Sequence, residues 1–258
     1  MSIESVLSQH CDDVELIVVD GASTDDSVKI IRRFDSQLAW WCSEKDSGQS
    51  NAFNKGFAHA KGKYLTWLNA DDYMPAGSLK KICEELKAHP KCEWFTGNFY
   101  RFSDATNIIT EVSWGPNFYP SWMQMKNSPL VIFGPSTFFS RAIYEKVGRI
   151  DETLHLTMDS DLWTRFIVTG IKQRRIRVFC WAFRMHRASK TEGADQNLLL
   201  EKRLSAEHWK TRKATGFDPS LAVRVILSLW RIIDGSYFYA NYLKWKLVGK
   251  KTCVEEVL

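Results

Sequence analysis

Long apolar runs are missing from this 258-residue chain. No stretch approaches the roughly 20 consecutive apolar residues that a membrane-spanning helix requires. Residues 1–10 are polar and hold no apolar centre of the kind that marks a secretory signal. Cysteine is scattered: the six lie at positions 11, 42, 83, 92, 180 and 253, with no CxxC pair and no Cys/His cluster at zinc spacing. That excludes a small disulfide-stapled fold and fits reduced thiols in a cytosol. No internal repeat, low-complexity tract or nucleic-acid motif is recognisable.

What is present is the composition of a soluble globular protein, 45% apolar and 25% charged, long enough for one large domain or a domain with an appendage. Eleven tryptophans suit a core, and flat aromatic faces also suit carbohydrate. Charge is unevenly divided. Residues 172–258 hold 18 Lys/Arg against 8 Asp/Glu, a net of +10, which leaves −5 on residues 1–171. A basic C-terminal third points to an anionic partner, either a membrane surface or a nucleic acid.

Short β-branched runs alternate with helix-like stretches through the first hundred residues. The pattern predicts strands over 14–20, 38–43 and 64–69, with helices over 26–34, 49–60 and 75–88. Such alternation argues for an α/β fold: a mostly parallel sheet with helices on both faces and ligands at the carboxyl ends of the strands. Residues 93–140 read as strand-rich with two loops, one holding Trp114 and Trp122. A short helix over 141–147 and another over 159–170 follow. In the last forty residues, 221–233 is apolar except for a stripe of Arg224, Ser228 and Arg231. Beyond it Tyr237, Phe238, Tyr239, Tyr242 and Trp245 are interleaved with lysines. That mixture suits a membrane interface, or a helical pair packed on the domain.

Acidic groups recur where strands end: Asp20 closes VELIVVD, and Asp71 and Asp72 follow YLTWLNA. Paired carboxylates there suit a turn and a helix cap. They equally suit a hard divalent cation, Mg2+ or Mn2+, shared with a diphosphate.

The ordered set VVDGASTDDS (18–27), EKDSGQSNAFNKG (44–56) and WLNADDYMP (67–75) resembles the family 2 glycosyltransferases of the GT-A fold. The resemblance continues through GPSTFFSRAIYEKVGRIDE (134–152), MDSDLWTRF (158–166) and FRMHRASKTEG (183–193), and covers residues 1 to about 195. It implies a GT-A glycosyltransferase domain over 1–195, with 196–258 as a basic, aromatic helical extension. Asp20 and Asp46 would bind the nucleotide. Asp71 and Asp72 would hold ribose and metal, with Asp72 the favoured direct ligand. Asn69 stands where the family's DxD motif has its first Asp, and Met158 where the family has Glu. Asp159 matches the general base, with helix capping as the structural alternative. For Asp161 capping or a salt bridge is expected, and for Trp163 a place in the core. His186 would contact the diphosphate or help close the site, or else be structural beside Arg184 and Arg187.

The implied activity is metal-dependent inverting transfer, of a hexosyltransferase kind, from a nucleotide-sugar donor to a glycan or lipid-linked acceptor in cell-surface polysaccharide synthesis. The setting is cytoplasmic, peripheral on the inner face of the membrane, with no nucleic acid as partner. The alternative is a degenerate, non-catalytic nucleotide- or sugar-binding member. Family members carry a strand ahead of the helix read here at MSIESVLSQ, and this sequence has none. The expectation is a domain short of its first strand, with two strand edges exposed, reduced stability, and weak or no activity.

Overall fold

The computed structural model describes residues 2–114, 134–186, 197–216, 225 and 229–254. Helix α1 (Ser2–Leu7) leads into β1 (Ile17–Asp20), α2 (Ser27–Arg33), β2 (Trp40–Ser43), α3 (Gln49–His59), β3 (Tyr64–Leu65) and α4 (Ser78–Ala88). Strands β4 (Trp94–Ser103), β5 (Ile109–Ser113) and β6 (Thr137–Ser140) come next. They are followed by α5 (Arg141–Val147), α6 (Met158–Val168), β7 (Gln173–Met185), α7 (Asn197–Thr215) and α8 (Ser236–Leu243). The alternation predicted for the first hundred residues is present, with shorter elements.

The strands form two groups. β1 pairs with β2 in parallel, Ile17 opposite Trp40. The second sheet runs β3-β6-β4-β5, with β7 also paired to β4. Only β4–β7 is parallel there, and β3–β6, β4–β6 and β4–β5 are antiparallel. This sheet is thus more mixed than the alternation suggests, because β5 returns beside β4 after a short turn and β6 enters against both its neighbours.

Two apolar layers cover the second sheet. On one face Phe57 of α3 packs with Leu65, Trp67, Phe139 and, from α6, Trp163 and Phe166. Trp163 stacks on Trp67 with ring centroids 5.7 Å apart, so it is core as expected. On the other face Val6 of α1 and Leu79 and Ile82 of α4 pack with Phe95, Phe138, Tyr64 and Leu68. Gly56 lets α3 ride close on β1: a Cβ there would lie 3.5 Å from Val19 and 3.7 Å from Ile17.

β1 and β3 do not pair with each other. A cleft of about 2110 Å³ separates them, lined by Ile17, Val18 and Val19 on one side and Leu65, Thr66 and Trp67 on the other.

The C-terminal segment packs on the sheet as well as facing solvent. Leu247 and Val254 are buried against Tyr100, Phe102 and Ile109, and Tyr239 meets Trp114 edge-on at 4.8 Å. Phe238 and Trp245 stand 62% and 59% exposed. Most of the 221–233 run, Trp122 and residues 187–196 lie outside the described residues.

Candidate active site

Asp20 closes β1 with its carboxylate turned inward, 7% exposed. Its Oδ2 accepts hydrogen bonds from the Ser23 N–H (3.0 Å) and the Ser43 hydroxyl (2.6 Å). Burial works against its charge, yet these bonds outweigh it and hold the pKa below the ordinary carboxylate value. Asp46 lies against Gly21, where a Cβ would come within 2.6 Å of Asp46 Oδ2. Its other oxygen accepts from the Gly48 N–H at 2.9 Å, ahead of α3.

The two adjacent acids after β3 face opposite ways. Asp72 is fully buried. Its Oδ1 accepts from the Arg184 backbone N–H at 3.0 Å and its Oδ2 from Asn69 Nδ2 at 2.7 Å. Burial pushes its pKa up to about 6. Asp71 is on the outside. Its side chain is 42% exposed, lines the cleft, and meets His186 Nε2 at 2.9 Å. Asn69 ties the turn together, since its Oδ1 accepts from Gln49 Nε2 at 2.7 Å. The sequence-level preference for Asp72 as the cation ligand therefore meets a geometry in which Asp71 lines the cleft, with His186 against it, and Asp72 is buried.

Asp159 opens α6 and lines the same cleft as Asp20 and Asp71. Burial raises its pKa, opposed by hydrogen bonds from the backbone N–H groups of Ser160 and Gly134. Gly134 is needed for that approach, because a Cβ there would lie 2.7 Å from the Trp67 ring. Asp161 pairs with Arg165 at 2.9 Å and accepts from Thr211 at 3.0 Å, the salt-bridge role expected of it.

Two residues that hold this end of the site are not evident in the sequence. Glu207 of α7 accepts from the backbone N–H groups of His155 (3.2 Å), Leu156 (3.0 Å) and Thr157 (2.9 Å), capping α6 from outside. Asn54 of α3 is buried, and through it α3 grips the loop before α6. Its Nδ2 donates to Ile150 O (3.0 Å) and Glu152 Oε1 (2.8 Å), while its Oδ1 accepts from the Tyr144 hydroxyl (2.5 Å) and the Ile150 N–H (3.2 Å). The signal for Asn54 was a polar side chain among Phe53 and Phe57. For Glu207 there was none.

Asp71 Oδ2 and His186 Nε2, 2.9 Å apart, are two donor atoms that a divalent cation could take in place of the bond between them. At the amino end of the cleft lies a different cluster, Cys11, Asp13 and Cys83. The two thiols there are 3.6 Å apart, and burial pushes the Cys83 thiol up to about 12.

A mixed sheet flanked by helices, with acids at the strand ends, is an arrangement shared with glycosyltransferases of the GT-A fold. Solved structures agree. The chain resembles S. aureus TarS 1-349 in complex with UDP, with TM-score 0.54 at 14% identity over 82% of this chain and 68% of that one. It also resembles the same protein in complex with UDP-GlcNAc, with TM-score 0.57 at 12% identity over 79% and 61%. The model of Glycosyl transferase family 2 matches residues 2–148, more than half of the sequence, and the chain belongs to that family.

Among curated relatives, the uncharacterized glycosyltransferase RP339 of Rickettsia prowazekii (strain Madrid E) is 27% identical over 64% of this chain and 53% of its own length. The uncharacterized glycosyltransferase MJ1057 of Methanocaldococcus jannaschii is 25% identical over 82% and 74%. A PGL/p-HBAD biosynthesis glycosyltransferase of Mycobacterium bovis (strain BCG / Pasteur 1173P2) is 26% identical over 62% and 60%. The chain thus spans about half the length of the first of these relatives.

Proposed function

We propose that this protein is a metal-dependent inverting glycosyltransferase that moves a hexosyl group from a nucleotide-sugar to a hydroxyl of a glycan or lipid-linked acceptor. The observation that carries this reading is the convergence of Asp20, Asp71 and Asp159 on one cleft, from three separate elements.

Asp20 and Asp46 orient the nucleoside. Asp71 and His186 would hold the cation, Mg2+ or Mn2+, and Asp72 fixes the turn that presents Asp71. When bound there, such a cation would supply positive charge against the departing diphosphate. Asp159 takes the proton from the acceptor hydroxyl as that oxygen bonds to the anomeric carbon. The bond to the diphosphate breaks on the opposite face, and configuration inverts. A carboxyl raised above its ordinary pKa is the stronger base for that task.

The exposed Phe238 and Trp245, with Lys244, Lys246 and Lys250 beside them, support attachment to an anionic lipid surface on the cytoplasmic side. Lipid-linked acceptors of surface polysaccharide synthesis would be met there. Among the described residues no helix is long and apolar enough to cross a membrane.

The test is the stereochemistry of the product. An α-linked UDP-sugar should yield a β-linked product by proton NMR. An α-linked product would overturn the single-displacement reading. One observation favours the second reading, a non-catalytic nucleotide- or sugar-binding protein: among the described residues β1, which carries Asp20, is paired along one edge only. Donor binding without turnover would select it.

A further inference from the structure

We propose that Cys11, Asp13 and Cys83 form a second metal site, one for a thiophilic divalent ion such as Zn2+, that clips the α1–β1 connection to α4. The inference does not depend on which reaction the protein performs. The site precedes β1, whereas Asp20 closes that strand, and it uses none of the atoms of Asp71 or His186.

Three donors converge here. Cys11 and Asp13 sit in the turn between α1 and β1, closed by the Val14 N–H donating to Cys11 O at 3.1 Å. Cys83 faces them from α4. One donor atom from each residue, two thiol sulfurs and a carboxylate oxygen, lies within 4.8 Å of the other two. The thiols are 72 residues apart in the chain, so no local spacing marks them.

Distance favours an ion over a covalent bond. The sulfurs stand 3.6 Å apart, well beyond the roughly 2.05 Å of a disulfide. Two sulfurs each about 2.3 Å from a tetrahedral Zn2+ lie about 3.8 Å from one another, so an ion is accommodated with a shift of about 0.2 Å. Two thiols merely in contact would show a similar separation. The third donor is what distinguishes a site from a contact.

Asp13 is held in place for that role. Lys87, one turn beyond Cys83 on α4, donates to its Oδ2 at 2.5 Å. A carboxylate has two oxygens, so one stays with Lys87 while the other serves the ion. Asp13, Cys83 and Lys87 all line the cleft, which supplies a path of entry. The fourth tetrahedral position is left to water.

Sulfur chooses the metal. Two thiolates and a carboxylate favour Zn2+ over Mg2+ and Mn2+, which prefer oxygen. Each thiol loses its proton to solvent as its sulfur bonds to the ion, so binding releases two protons. The effect is structural, because the ion braces α1 on α4. Just after α1, Gln9 Oε1 accepts from the Leu79 N–H of α4 at 3.1 Å. At the other end of α1, the Ser2 hydroxyl donates to Asn69 O at 2.9 Å and Asp72 O at 2.8 Å. A clip on this connection therefore steadies the turn that carries Asp71.

The test is titration of the reduced, chelator-stripped 258-residue chain with Co2+, followed by thiolate-to-cobalt absorption. One ion per chain should bind with that band, Zn2+ should displace it, and a large excess of Mn2+ should not. Zn2+ should also raise Tm by several degrees. Cys11→Ser and Cys83→Ser should each abolish the band, and Cys253→Ser should leave it unchanged. Asp13→Asn should weaken binding by at least the roughly tenfold that loss of an outer partner costs a metal site. Absence of the band, its survival in Cys11→Ser, or unchanged affinity in Asp13→Asn would overturn the proposal. If the serine variants fail to fold, labelling of the unaltered chain by iodoacetamide decides, read by mass spectrometry. Zn2+ should slow labelling of Cys11 and Cys83 while Cys42 keeps its rate, and equal labelling with and without Zn2+ would contradict the site.

Discussion

Eight of the ten residues of β4 are buried, but one of the four in β1. Both strands are apolar and both belong to the same domain. β4 has neighbours along both edges, β6 and β5 on one side and β7 on the other, while among the described residues β1 has β2 alone. Burial here follows from neighbours rather than from the strand's own sequence. The candidate chemistry lies on the seam, with Asp20 contributed by the sparse half and Asp159 by the dense one.

The largest effects should separate the halves by stability. Phe139 is fully buried against Phe57, Trp67, Tyr144, Trp163 and Phe166. Phe139→Ala should cost about 3–5 kcal/mol in urea unfolding. Val18→Ala, in the half-buried strand, should cost about 1 kcal/mol or less. Equal losses would remove the contrast.

Asp159→Asn should lower turnover about 10³-fold and leave donor affinity nearly unchanged. In the unaltered protein kcat/KM should fall on the acid side as the proposed base is protonated. Because burial raises this pKa, the fall should begin above the ordinary carboxylate range near 4. An acid limb at or below pH 4 would argue against Asp159 as the base.

Glu207→Ala strips three backbone N–H groups ahead of α6 of their acceptor, at a cost of about 1–3 kcal/mol. Turnover should fall about tenfold through misplacement of Asp159, and Glu207→Gln should recover part of it. Loss of stability with unchanged kcat would mean that Glu207 only holds the fold.

The smallest effect concerns the neighbouring clip, Asp151 to Lys210 at 2.8 Å. Burial opposes the charge of Asp151, but the bonds from Lys210 and Thr153 bring its pKa down to about 2. Its contribution is present above about pH 4 and lost as pH falls towards 2. Both partners are well exposed, so Lys210→Met should cost under about 1 kcal/mol at neutral pH, measured by the same unfolding assay.

The sequence made the alternating strands and helices of the first hundred residues and the acids at strand ends legible, because apolar runs that stop at Asp leave a local mark; it did not mark β7. It left unresolved which of two adjacent acids faces out. That depends on the Arg184 N–H, 112 residues away from Asp72, and on the turn held by Asn69. The cap from Glu207 is equally remote, 50 residues from Thr157, and leaves no pattern near α6. Strand direction in the second sheet was hidden for a related reason: alternation of strands and helices records that a strand exists, not which way it enters.

The most direct test of the central claim is calorimetric titration of the protein with UDP in Mn2+, then in chelator, for the unaltered chain, Asp71→Ala and Asp72→Asn. Cation-dependent binding that is lost in Asp71→Ala and kept in Asp72→Asn is the expected result. Binding indifferent to the cation, or lost in Asp72→Asn while Asp71→Ala retains it, would contradict the assignment of the outward carboxylate to the donor site.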